Sequence, residues 1–202
     1  YPPIRNQKDW FTFRGFSHLL NVAQKKPYPH REFETYLKEG TSRLAIALSD
    51  RCDKYFDPGI RCGHCMIGPG KGKVMDFDNL QEVDDRFFKL FQDVDLARSG
   101  EPMLYESRDH DLADVVKFLI SKGLRKPGSM FGIFNSNEPR YDQVTERLAE
   151  VMAQNPQASF ELSLTYHHFV EDLSRFQAGF QYALENCLQF ADQISLKRMA
   201  CD

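Results

Sequence analysis

The stretch NPQASFELSLTYHHFVEDLSRFQAGFQYALENCLQFADQISLKR, residues 155–198, decides the predicted fold of this chain. Apolar residues recur in it with alternating gaps of four and three, the pattern of a heptad seam along one face of a helix. The seam consists of Leu162, Tyr166, Phe169, Leu173, Phe176, Phe180, Ala183, Cys187, Phe190 and Ile194. The pattern therefore predicts one long C-terminal helix over residues 156–198.

The two ends of this stretch carry helix boundary signals. Asn155 is a typical N-cap residue, and Pro156 suits the first helical position, where the missing N–H costs nothing. Lys197 and Arg198 fit a helix C-terminus, where cations are favoured. A second interpretation stays open, because the apolar residues at 160, 162, 164 and 166 alternate with polar ones as in a half-buried strand. The continuous four-three pattern favours the helix.

Length and composition limit the class of protein. The chain has 202 residues, which fits one domain over 1–202 with a sizeable core. Hydrophobic residues at 42% and charged residues at 27% exclude disordered and fibrous classes. A net charge of −3 argues against general nucleic-acid binding. No apolar run approaches the roughly 18 to 20 residues of a membrane-spanning helix, so we expect none.

Cysteine usage indicates the compartment. The chain has five cysteines, at 52, 62, 65, 187 and 201. An odd count, with Cys187 on the predicted helical seam, argues against a secreted disulfide scaffold. Nothing near Tyr1 resembles a signal peptide. We therefore expect an intracellular, reducing compartment, either the cytoplasm or an organelle reached after removal of a targeting segment.

The rest of the chain also favours helices. Residues 1–8 predict an extended arm with two prolines. Capping signals and helical spacing predict further helices over residues 9–23, 31–56, 78–94, 109–122 and 139–154, with Asp9, Asp78 and Asp109 as N-caps and Gly123 as a C-terminal residue. The apolar run 130–134 is either a short buried strand or extended chain, and no internal repeat is apparent. The predicted fold class is all-α, an irregular helical bundle of about six helices with a long C-terminal helix.

One Gly/Pro/Cys-rich loop, residues 57–73, is the first place to look for chemistry, since long loops in compact domains are often functional. Cys62 and Cys65, separated by two residues, can both bind one tetrahedral zinc ion. Cys52 lies nearby in sequence. His64 is one candidate for the fourth ligand, and His110, His167 or His168 is another. The alternative is a set of unliganded thiols.

Three short motifs resemble those of known enzyme families. The tetrapeptide Cys62-Gly63-His64-Cys65 resembles the redox motif of protein disulfide isomerases, which implies thiol chemistry. Residues 64–71 resemble the cysteine-phosphatase loop, although Lys71 stands where that family has arginine. His110-Asp111 resembles the adjacent pair of metal-dependent phosphohydrolases of the HD family. The alternative for this last pair is that its polar residues favour a helix N-terminus.

The leading functional hypothesis follows from the long apolar seam and the lack of a complete catalytic set. It is a soluble α-helical subunit without catalytic activity, acting in protein interaction or assembly, whose C-terminal helix contacts a protein partner or a second copy. The second hypothesis is a metal-dependent hydrolase, of zinc or HD type, or a zinc-stabilised domain. Its metal ligands would be Cys52, Cys62, His64 and Cys65. No cofactor is expected beyond this structural zinc.

Overall fold

The computed structural model describes residues 43–52, 72–89, 91, 93–96, 100–124, 129–131, 139–166 and 173–198. The described helices are α1 (Phe77–Gln81), α2 (Asp85–Phe88), a 3-10 turn (Pro102–Leu104), α3 (Leu112–Ser121), α4 (Pro139–Ala153) and α5 (Leu173–Asn186). The described strands are β1 (Arg43–Ala45), β2 (Asp93–Asp95), β3 (Glu106–Ser107), β4 (His110–Asp111), β5 (Ser129–Phe131), β6 (Glu161–Tyr166) and β7 (Gln193–Arg198). The predicted all-α bundle is therefore wrong, and the fold mixes helices with short, mainly parallel strands.

The long C-terminal helix is the main error. Residues 155–198 form β6, α5 and β7 in succession. The strand interpretation of 160–166 was correct, since Leu162 and Leu164 are both buried on one face of β6. A spacing of four residues between apolar positions fits one helix turn and also places both residues on the same face of a strand, so the first part of the seam did not separate the two structures.

The same ambiguity affected the predicted helix 31–56. Its described part contains β1, which pairs in parallel with β2 at Arg43 and Asp93. Leu44, Ile46 and Leu48 are all buried, which is the alternation of a strand. The predicted helix relied on the four-residue spacing of Leu44 and Leu48 and did not use Ile46, which lies between them.

The predicted helix 78–94 is also interrupted. The chain forms α1, α2 and then β2 over this range. The N-cap of α1 is Asp76, whose Oδ1 accepts a hydrogen bond from Asp78 N at 3.2 Å. The predicted cap, Asp78, is therefore the second residue of the helix. Its position in the first turn still suits the helix dipole.

Two predicted helices are confirmed. Helix α3 ends at Ser121, and Gly123 follows with φ of +88°, the left-handed conformation expected just after a helix. Its N-cap is Asp111 rather than Asp109, with Oδ1 accepting from Ala113 N at 2.8 Å. Helix α4 buries Tyr141, Val144, Leu148 and Val151 on one face, as predicted. The predicted arm 1–8, the predicted helix 9–23 and most of the 57–73 loop lie outside the described residues.

Strands β5, β6 and β7 form a parallel sheet in chain order. Ser129, Glu161 and Gln193 are aligned across it, so each strand lies 32 residues after its neighbour. The Tyr182 hydroxyl of α5 donates to Asp142 Oδ1 of α4 at 2.7 Å, which places the two connecting helices side by side. The C-terminal part is thus a stack of two strand–helix units followed by β7, with all three strands parallel.

One apolar cluster joins these units to the rest of the described chain. Strand β5 comes within 8 Å of β2, and β2 pairs with β1. Phe160, just before β6, packs edge-to-face on Phe190, just before β7, with ring centroids 5.3 Å apart. The helices that cover the cluster are short, and among the described residues none is long and apolar enough to cross a membrane.

Candidate functional sites

The β3–β4 hairpin forms one wall of a polar cleft. It is fixed on α1 because Phe77 N donates to Ser107 Oγ at 3.0 Å. Arg108 occupies its turn with φ of +55° and forms ion pairs with Asp76 at 3.1 Å and Asp78 at 2.5 Å. These contacts hold the hairpin against the amino end of α1, and they neutralise the arginine.

Arg147 of α4 closes the other side of the cleft. Its guanidinium pairs with Asp111, the N-cap of α3, and with Asp114 at 2.8 Å. Asp114 also completes a capping box by accepting from Asp111 N at 3.0 Å. Burial alone would lower the pKa of Arg147, but the hydrogen bonds and negative charges of these two carboxylates raise it. Arg147 is therefore a fixed cation whose partners already have structural roles.

His110 is the residue of the cleft best suited to acid–base chemistry. Its ring stacks on Phe77 with centroids 4.2 Å apart, and 39% of its side chain is exposed. Nδ1 lies 3.5 Å from Asp114 Oδ2, which is long for a hydrogen bond. A histidine beside a carboxylate can move protons, but Asp114 is shared with Arg147 and the α3 cap.

The cleft has a volume of about 480 Å³. It is lined by Glu106, Arg108, Asp109, His110, Asp111, Gln143, Val144 and Arg147. Seven of these eight residues are polar or charged, whereas small-molecule sites are mostly apolar with a few polar groups. The described residues also contain no group of three histidine, cysteine or acidic side chains that could hold a metal ion. The His110-Asp111 pair is thus explained by hairpin and capping contacts.

Of the four predicted zinc ligands, only Cys52 is among the described residues. Cys52 lies partly buried shortly after β1, while Cys62, His64 and Cys65 lie outside the described residues. The described residues therefore do not test the zinc site, which stays a prediction. Cys187, at the end of α5, is fully buried, and burial raises the pKa of its thiol to about 12. A thiol of that kind is inert and belongs to the core.

A second candidate surface lies at the end of the strand–helix stack. Leu184, Leu188 and Leu196 are 37%, 57% and 55% exposed and are the large hydrophobic residues exposed within the described ranges. We call these three leucines the terminal face. Reading 193–198 as a strand would have shown Ile194 and Leu196 on one side of it.

The position of the terminal face follows from the packing of α5. Tyr182 points to α4, and Leu184, two residues further along, lies about 200° around the helix axis. Leu184 is therefore on the side of α5 that faces away from the preceding unit. Strand β7 pairs with β6 on its inner edge, and in the described part of the chain no strand pairs with its outer edge. The terminal face and this outer edge thus lie at the same end of the sheet.

Comparison of the chain with protein-family models, with curated proteins and with solved structures gives no match. The function is therefore argued from these two surfaces. In the cleft, Arg108, Asp111 and Arg147 are engaged in ion pairs that hold the fold together. On the terminal face, three leucine side chains contact solvent.

Proposed function

We propose that this chain is a non-catalytic protein-interaction domain and acts as a subunit of a larger assembly through its terminal face. The observation that carries the proposal is the exposure of Leu184, Leu188 and Leu196 on the last strand–helix unit. Grouped apolar side chains on a surface mark interaction sites, whereas single ones are common.

The internal unit shows what normally covers such positions. On α4, Thr145 is buried, and its Oγ1 lies 3.3 Å from the Tyr182 hydroxyl of α5. Helix α5 therefore covers one side of α4. The corresponding side of α5 carries Leu184, which lacks a covering helix among the described residues. A protein partner seated there would remove these leucines from water, which is favourable by about 25 cal/mol per Å² of apolar area.

A photo-crosslinking experiment tests this proposal. A benzoylphenylalanine replaces Leu188 in the natural protein, expressed in its own cells, and the matched control carries it at exposed Gln189. We expect a discrete covalent adduct with another polypeptide, or with a second copy, at position 188 and far less at 189. Equal adducts at both positions, or none at 188, would contradict the proposal.

A further inference from the structure

We draw no further inference here: the strongest candidate, the polar cleft between the β3–β4 hairpin and α4, carries nothing, because it is an acidic cluster around two arginines already held in ion pairs, and in the described part of the chain no second observation points to a ligand for it.

Discussion

Replacing Gly100 by alanine should destabilise this protein more than the same substitution at Gly72 or Gly123. Gly100 has φ of +63°, and a Cβ built there would lie 2.3 Å from Arg51 O and 2.6 Å from Ser49 O. Both atoms belong to the backbone. The segment cannot easily retreat, because Arg51 O accepts from Glu101 N at 2.6 Å and Asp50 N donates to Lys73 O at 3.0 Å.

The magnitude can be separated into two parts. A left-handed conformation costs alanine about 1 to 2 kcal/mol, of which about 0.4 to 1 kcal/mol is offset by the lower entropy of its unfolded chain. Steric overlap in a packed region adds about 1 to 3 kcal/mol. We therefore expect Gly100→Ala to lower the free energy of unfolding by about 3 kcal/mol.

Matched controls isolate the steric part. Gly72 has φ of +71° and Gly123 has φ of +88°, with nothing within 4 Å of an added Cβ at either. Alanine at these positions should lower the free energy of unfolding by only about 1 kcal/mol. Urea denaturation followed by circular dichroism measures all three variants, and a loss of 3 kcal/mol moves the midpoint by about 1.5 M for a typical slope near 2 kcal/mol/M. Equal losses at positions 72, 100 and 123 would refute the argument from close approach.

Three further predictions concern caps, burial and metal. Asp111→Ala should lower the free energy of unfolding by about 1 to 2 kcal/mol through loss of the α3 cap, while Asp109→Ala, at an exposed turn position, should change the urea midpoint little. Burial raises the pKa of Cys187 from 9.0 to about 12, so the neutral thiol stabilises the fold below pH 9, and this contribution is lost as pH rises from 9 to 12. Unfolding measured across that range should show a steeper decline in wild type than in Cys187→Ala, and equal slopes would contradict the assignment. Elemental analysis of protein purified without chelator should find one zinc per chain, lost in Cys62→Ser, if the predicted site forms; absence of zinc would end that hypothesis.

The helices that the sequence predicted correctly contain gaps of three between apolar residues. In α4, Tyr141 and Val144 are three apart, and three strand steps would place them on opposite faces. The pattern therefore excluded a strand before any tertiary contact was known. In the segment that begins with β1, and in β6, the gap used was four, from Leu44 to Leu48 and from Leu162 to Tyr166, which is compatible with both structures. The residues between them, Ile46 and Leu164, carried the correct signal.

The contacts that build the candidate sites join residues far apart in the chain and could not be predicted from the sequence. His110 and Asp111 were recognised in the sequence, but Arg147, which pairs with Asp111, lies 36 residues away and gave no local signal. The spacing of 32 residues between strands was also hidden, because aligned positions such as Met130, Leu162 and Ile194 share only apolar character. Equal spacing became visible once the strands were paired.

The sequence by itself determined that α3 and α4 are helices and that Gly123 follows the end of α3, because a helix satisfies its backbone within a few residues. Tertiary structure alone decided that residues 161–166 and 193–198 are strands. Each strand forms its backbone hydrogen bonds with a segment 32 residues away, and no local sequence pattern identifies that segment. The same non-local pairing leaves the outer edge of β7 and the three leucines of the terminal face at the end of the stack.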